Sequence, residues 1–175
     1  MTERTTAGLA AVLQSLEHTR EKLLQEVQGL SDVQLNSKPK REKWSIMQNL
    51  HHLHLIEQAV AASVDDALRH SEREQLYAKP VERTLDRTYK VEAPEQVRPT
   101  ETILKEEQIR QMLAHSRGEL LKVLQQVTDE MEVLEKSSRH PIFGKLSLQQ
   151  WLEFLNHHEQ RHIAQIQEAK RALHS

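Results

Sequence analysis

The sequence predicts an all-α protein, a four-helix bundle with a long crossover between its second and third helices. Apolar residues recur at intervals of three and four over four long stretches, which is the spacing of amphipathic helices. The 175 residues include only four glycines and five prolines, fewer turn-forming residues than a β-rich fold needs. A proline-containing stretch over residues 80–101 lacks helical periodicity and separates the second helix from the third. These features suit helices that pack side by side around one core.

The first helix is predicted over residues 6–30. Thr5 or Thr6 can cap its start, and Gly29 can help to end it. The polar segment 31–43 follows, and we expect a connection there with one short helical turn at its beginning. The apolar positions that predict the first helix are Leu9, Val12, Leu13, Leu16, Leu23, Leu24, Val27 and Leu30.

The second helix carries a cluster of histidines. Ser45 and Gln48 have the spacing of a capping box, in which the serine oxygen accepts from a backbone N–H and the glutamine reaches back to the cap. The helix should therefore begin at Ile46, and helical spacing continues to about Arg69. The histidines within it are His51, His52 and His54.

The second half of the chain contains the other two helices. The long crossover should pass over the outside of the domain, and the third helix should follow over residues 102–127. Residues 128–145 are predicted to form a second connection. Ser147 and Gln150 then repeat the capping-box spacing and predict a fourth helix that extends to about Leu173.

Composition limits the function classes. The length and the uniform composition predict a single domain over residues 1–175. A formal charge of −2, from 24 basic and 26 acidic residues, gives no electrostatic footprint for nucleic acid. The chain has no cysteine, so any metal must be held by nitrogen and oxygen. No apolar run approaches the roughly 20 residues of a membrane span, and residues 1–6 lack the apolar core of a secretory signal. We therefore expect a cytoplasmic protein that binds neither nucleic acid nor membranes.

The fourth helix places imidazoles where apolar side chains are expected. Trp151, Leu155, His158 and His162 lie on one helix face because residues three and four apart are neighbours on a helix. His158 and His162 stand at i and i+4, the spacing at which two imidazoles of one helix can reach the same metal ion. His157 lies roughly 100° around the helix and should point sideways or to solvent.

A third ligand is expected from the second helix, because bundles build metal sites from facing helices. His52 and His54 lie at opposite edges of the apolar face of that helix, and His51 points away from it. Helical periodicity alone leaves both His52 and His54 open as the ligand. The scattered histidines are interpreted as surface or connection residues: His18, His70, His115, His140 and His174.

Several of these residues together resemble a known family. Trp44 and Ser45 are followed by a histidine eight residues after the tryptophan, and the last helix contains a His-x-x-x-His-x-x-Gln pattern. The stretch His-Pro-Ile-Phe-Gly-Lys-Leu-Ser-Leu over residues 140–148 leads into that helix. In these motifs and their order, the chain from Trp44 to Ile166 resembles the DinB superfamily of metal-binding four-helix bundles.

The resemblance implies a ligand set and a type of activity. In that family the metal is held by one histidine of the second helix and two of the fourth, which by position are His52, His158 and His162. Members are described as candidate metal-dependent hydrolases, and some relatives transfer low-molecular-weight thiols to electrophilic substrates. The resemblance therefore favours His52 over His54 and implies a metal-dependent hydrolase or a thiol S-transferase that acts on a small molecule.

Three neutral imidazoles leave at least one coordination position for water or substrate. A divalent ion held in this way, zinc or nickel, could activate either water or a thiol. The residues near enough in sequence to orient the imidazoles are Gln48, Asn49, Glu57, Glu159 and Gln165, and the sequence assigns no general base. The alternatives are a non-catalytic bundle stabilised by the metal and an interaction protein without metal. A homodimer through an apolar helix face is also possible for a bundle of this kind.

Overall fold

Four long helices dominate the structure, a computed structural model that describes residues 8–175. These helices are α1 (Leu9–Val27), α3 (Ile46–His70), α4 (Glu106–Leu124) and α6 (Leu148–His174). The shorter elements are α2 (Asp32–Asn36), α5 (Glu132–Glu135), the strands β1 (Ser137–His140) and β2 (Gly144–Ser147), and two 3₁₀ turns at Val81–Leu85 and Glu95–Val97. The predicted all-α four-helix bundle is confirmed, with one small hairpin added to it.

The first connection follows the sequence prediction closely. The predicted caps Thr5 and Thr6 lie outside the described residues, and α1 begins directly after Gly8. Gly29 lies just beyond the end of α1 with φ +78°, a conformation that favours glycine and turns the chain out of the helix. The expected short helical turn is α2, which begins with a capping box between Ser31 and Gln34.

The two predicted capping boxes differ in the structure. At the start of α3, Ser45 Oγ accepts from Gln48 N at 3.0 Å and Gln48 Oε1 accepts from Ser45 N at 3.1 Å, so the box is complete. At the start of α6, Ser147 Oγ accepts from Gln150 N at 3.1 Å. The Gln150 side chain does not return to the cap, because it bonds to both backbone groups of Lys79 in the crossover, at 3.2 and 2.9 Å. The second box is therefore only half formed.

The segment predicted as a second connection contains regular structure. After α5, strands β1 and β2 pair as an antiparallel hairpin in which His140 lies opposite Gly144. Gly144 has φ +74°, which supplies the turn. Strands of four residues are too short to give a convincing alternating pattern in a sequence, so the hairpin was not predicted.

Two apolar clusters reveal the directions of the helices. The first cluster contains residues near the starts of α1 and α6 and near the ends of α3 and α4. The second cluster contains residues near the ends of α1 and α6 and near the starts of α3 and α4. Therefore α1 and α6 run parallel to each other, and α3 and α4 run in the opposite direction. Consecutive long helices α3 and α4 can run in the same direction only because residues 71–105 carry the chain back along the bundle.

A charged layer separates the two apolar clusters. Each long helix contributes one buried charged residue to this layer: Arg20 from α1, Glu57 from α3, Arg117 from α4 and Glu159 from α6. Arg20 Nε donates to Glu159 Oε1 at 2.7 Å, and Arg117 Nε donates to Glu57 Oε2 at 2.8 Å. Arg20 Nη2 also reaches Glu57 at 3.2 Å. Because each carboxylate contacts a guanidinium, the layer is internally neutralised.

The crossover passes over α6 and is attached to it. Its side chains Val81 and Val97 are buried. Arg161 of α6 donates from Nη1 to the carbonyl oxygens of Thr84 at 3.1 Å and Asp86 at 2.6 Å. Arg161 Nη2 donates to the carbonyl of Tyr89 at 2.8 Å.

Among residues 8–175, no helix has the length and apolar character needed to span a bilayer.

Candidate metal centre

Three imidazoles from two antiparallel helices meet inside the bundle. His52 comes from α3, and His158 and His162 come from successive turns of α6. One ring nitrogen of each histidine lies within 4.8 Å of the other two. His52 and His162 are buried, whereas His158 is half-buried. The structure thus brings together the three histidines that the sequence and the family resemblance selected.

The spacing of the nitrogens fits a metal ion. His52 Nε2 and His158 Nε2 are 3.3 Å apart. Two nitrogen ligands about 2.0–2.1 Å from a tetrahedral zinc ion lie about 3.3 Å from each other. The separation of His52 and His158 therefore fits two ligands of one divalent ion, and a ring nitrogen of His162 lies within 4.8 Å of both.

Hydrogen bonds on the far side of two rings fix their tautomers. His52 Nδ1 donates to the carbonyl oxygen of Val97 at 2.6 Å, and His162 Nδ1 donates to Asn49 Oδ1 at 2.8 Å. Asn49 Nδ2 donates to the carbonyl of Ser45 at 2.9 Å, which leaves its Oδ1 as the acceptor for the imidazole. With the proton on Nδ1, the Nε2 lone pairs of both rings are free for a metal. His158 Nδ1 is buried and has no hydrogen-bond partner within residues 8–175.

All three imidazoles are held in the neutral form that a metal requires. Burial is the largest cause, and it lowers the pKa of His52 and places the pKa values of His158 and His162 well below the usual value. The positive charge of Arg161 lowers the pKa of the two α6 imidazoles further. The hydrogen bond to Val97 acts in the opposite direction on the pKa of His52 but does not cancel the effect of burial.

Aromatic side chains form walls beside the imidazoles. The ring centroid of Trp44 is 5.0 Å from that of His52 and 6.1 Å from that of His162, with an interplanar angle of 14° to the latter ring. On the other side, Phe154 lies 5.5 Å from His158. The triad is therefore bordered by aromatic rings from two parts of the chain.

The other histidines of α3 lie outside the triad. His54 Nδ1 donates to the carbonyl of Met112 at 2.7 Å, so this buried ring faces α4. His51 Nδ1 accepts from Thr100 N at 3.0 Å. His51 also lines a cleft of about 210 Å³ at the start of α3, which none of the three converging imidazoles borders. On α6, His157 is half-buried and lies outside the converging group.

His140 is not the surface or connection residue that the sequence analysis assumed. It ends β1, is buried, and packs against Phe154 at a centroid distance of 4.4 Å and Trp151 at 4.9 Å. Its Nδ1 accepts from the backbone N–H of Ile142 at 3.0 Å and that of Phe143 at 3.3 Å. Burial lowers its pKa to about 4. The ring is buried because the hairpin turn folds back onto α6 and covers it.

The supporting residues were only partly predictable. Of the five candidates, Asn49 contacts an imidazole. Glu57 and Glu159 do not, because they are engaged by the arginines of the charged layer. Gln48 completes the cap of α3. The Val97 carbonyl was missed, and no sequence signal could have found it, because a backbone oxygen in a distant loop has no residue type that marks it.

Comparisons with known proteins agree with this architecture. A family model described as the DinB superfamily matches residues 15–166. A protein of Bacillus subtilis (strain 168), described as uncharacterized protein YuaE, is 32% identical over 148 residues, which cover 85% of this chain and 90% of that protein.

Two solved structures share the fold. TT2238, described as a four-helix bundle protein, has a TM-score of 0.61 and 20% sequence identity, and the match covers 90% of this chain and 96% of that one. YfiT from Bacillus subtilis, described as a probable metal-dependent hydrolase with an unusual four-helix bundle topology, has a TM-score of 0.65 and 20% identity, with 99% and 94% covered. At this identity the two structures establish similarity of fold alone.

Proposed function

The chain belongs to the DinB superfamily, and we propose that it is a metal-dependent enzyme, a hydrolase or a thiol S-transferase, that acts on a small molecule. The observation that carries the proposal is the convergence of His52, His158 and His162, two of which have their Nδ1 protons engaged and their Nε2 atoms free. The description of YfiT as a probable metal-dependent hydrolase supports the same class of activity.

We propose zinc or nickel as the metal, because all three candidate ligands are imidazoles. A bound divalent ion would supply Lewis-acid chemistry and lower the pKa of a coordinated water or thiol. Val97 and Asn49 would hold two of the rings in position through their hydrogen bonds. Trp44 and Phe154 would restrict access of bulk water to the site.

The nearest carboxylates in sequence are poor candidates for proton transfer. Glu57 and Glu159 are buried and are bound by Arg20 and Arg117 in the charged layer. A carboxylate that accepts hydrogen bonds from guanidinium groups on both sides has little capacity left to accept a proton from substrate. Neither of these two carboxylates is therefore assigned as the proton acceptor of the proposed reaction.

The test begins with protein purified without a histidine tag. Elemental analysis should find about one divalent ion per chain in the wild type and in His157→Ala, and little in His158→Ala. His157 is the matched control because it is the neighbouring histidine on the same helix and lies outside the triad. Turnover of an ester and amide panel, and of thiol conjugation to electrophiles, should follow the metal content. Metal retained in His158→Ala, or no metal bound by the wild type, would refute the proposal.

A non-catalytic metal-stabilised bundle is the second candidate, because the triad joins α3 to α6. In that case chelation would lower the melting temperature while every substrate stayed unconverted. The charged layer argues for the enzyme instead. It already connects all four long helices through Arg20 and Arg117, so an ion is not needed to hold them together.

A further inference from the structure

The last part of the crossover has little of its surface buried. Side chains of α6 hold residues 79–89, and Asn36 holds Leu104 through both backbone groups, at 2.8 and 3.3 Å. Between these two attachments the structure describes every residue, and residues 90–103 bury a single side chain, that of Val97. A segment with so little buried apolar surface opens locally at a small cost in free energy.

Two adjacent histidines of α3 bind this segment at its buried residue and just beyond it. His52 Nδ1 donates to the carbonyl oxygen of Val97 at 2.6 Å, and His51 Nδ1 accepts from the backbone N–H of Thr100 at 3.0 Å. Gln48 Nε2 also donates to the carbonyl of Thr100, at 3.4 Å. The two imidazoles therefore make bonds of opposite sense, one as donor and one as acceptor, to backbone groups three residues apart.

Pro99 makes the two bonds act together. The proline ring fixes its own φ and restricts the preceding residue to extended conformations. That residue, Arg98, is extended, with ψ 136°. Because the chain between Val97 and Thr100 has little conformational freedom, a bond that holds the Thr100 N–H also holds the Val97 carbonyl in place.

We infer that His51 is a positioning residue of the metal centre and that metal binding closes residues 97–100 onto α3. His51 acts through the Val97 carbonyl, which orients the ring of His52. This inference rests on the proposed function, because it needs an ion on His52 Nε2. With an ion there, the proton stays on Nδ1 and the ring becomes a stronger donor to Val97.

The metal-free protein has an alternative arrangement of the same proton. His52 can then carry it on Nε2 and donate to His158 Nε2, which lies 3.3 Å away. In that tautomer the Val97 carbonyl has lost its donor, so residues 97–100 open more often. Linkage is reciprocal, so the factor by which the ion favours the closed segment is the factor by which closure raises metal affinity.

The test measures amide hydrogen exchange by NMR in metal-free and zinc-loaded wild type at one pH. The Thr100 amide is the direct reporter, because its hydrogen is the one donated to His51. We expect zinc to slow its exchange about fivefold or more, the lower end of typical coupling between linked sites. The Leu104 amide is the internal control, because Asn36 of α2 holds it independently of the triad, and its exchange should change little.

Variants of His51 separate positioning from a merely structural role. His51→Leu removes the acceptor and should abolish the zinc dependence of Thr100 exchange and weaken zinc binding about fivefold or more. His51→Asn keeps an acceptor close to the position of Nδ1 and should restore most of both. The absorption spectrum of the cobalt-loaded protein, which reports ligand geometry, should change in His51→Leu and return in His51→Asn. His70→Leu is the control, because this histidine is exposed on the same helix.

The outcomes distinguish this inference from the proposed function. A wild type that binds neither zinc nor cobalt would overturn both. Bound zinc with unchanged Thr100 exchange, or with equal slowing at Leu104, would overturn this inference alone. The same holds if His51→Leu binds zinc as tightly as the wild type. The exchange comparison needs no variant, so a His51→Leu protein that failed to fold would leave that test intact.

Discussion

Replacing Asn49 by leucine should weaken metal binding about 10- to 100-fold. The His162 Nδ1 to Asn49 Oδ1 bond is 2.8 Å long, and both residues are almost fully buried, at 4% and 2% exposure. Water therefore cannot replace the lost acceptor. A metal on Nε2 forces the proton onto Nδ1, so the unpaired N–H exists only in the loaded state and costs about 1–3 kcal/mol there. The metal-free protein can avoid this cost by changing the tautomer of His162.

Asn49→Asp is the matched comparison for this variant. Both substitutions remove the amide donor to the Ser45 carbonyl, but aspartate keeps an acceptor for His162 and adds negative charge that favours the cation. We expect the Asn49→Asp variant to bind metal most tightly, the wild type less tightly and Asn49→Leu most weakly, as measured by competition with a chromophoric chelator. If the folded Asn49→Leu protein binds metal within twofold of the wild type, the orienting role of Asn49 is wrong.

Three further predictions follow from other parts of the structure. The pKa of His140 is lowered to about 4 from 6.5, so unfolding takes up a proton between these pH values. As the pH falls from 7 to 4, this side chain should therefore lower the free energy of unfolding of the metal-free protein by about 3 kcal/mol. The free energy of unfolding of His140→Asn, measured by urea titration, should fall correspondingly less over the same pH range. Arg20→Met leaves the buried carboxylates of Glu57 and Glu159 with one guanidinium, that of Arg117, in place of two and should cost about 3–5 kcal/mol in chemical denaturation, whereas Arg73→Met, at exposed ion pairs, should change little. Trp44 contacts two imidazoles of the triad, so nickel should quench its fluorescence, and the quenching should persist in Trp151→Phe but largely disappear in Trp44→Phe.

Each of these predictions has an outcome that contradicts it. Parallel stability-versus-pH curves for the wild type and His140→Asn would show that this imidazole is not buried in its neutral form. Equal stability of Arg20→Met and Arg73→Met would mean that the charged layer is accessible to water. Unchanged quenching in Trp44→Phe would place the metal away from the rings that Trp44 contacts.

The helices were predictable because their signals are local. The three-and-four spacing of apolar residues and the Ser45 cap placed the start of α3 at its observed residue, Ile46. The hairpin was not predictable, since its strands are short and its stability depends on packing against α6. The Gln150 side chain shows the same limit. Its spacing from Ser147 fits a capping box, but a backbone segment about 70 residues away in sequence offers two hydrogen bonds instead of one.

Helical spacing alone predicted only the α6 half of the candidate metal centre, and the family resemblance supplied His52. The separation of His158 and His162 is a local property of a helix. Helical periodicity left His52 and His54 equivalent, because both lie at edges of one apolar face and both are buried in the structure. The bundle packing distinguishes them, since one edge of α3 faces α6 and the other faces α4. The burial of His140 likewise depends on the fold of a turn that sequence periodicity does not describe.

The charged layer also determines how the four long helices are aligned along the bundle axis. Sliding any one helix by a single turn, about 5.4 Å, would move its charge out of the layer and into an apolar cluster, where it would lack a counter-ion. Glu159 directly follows His158, and Glu57 lies five residues beyond His52. The same alignment that keeps the salt bridges intact therefore sets the imidazoles opposite one another, so the protein chain itself can define the ligand geometry before an ion arrives.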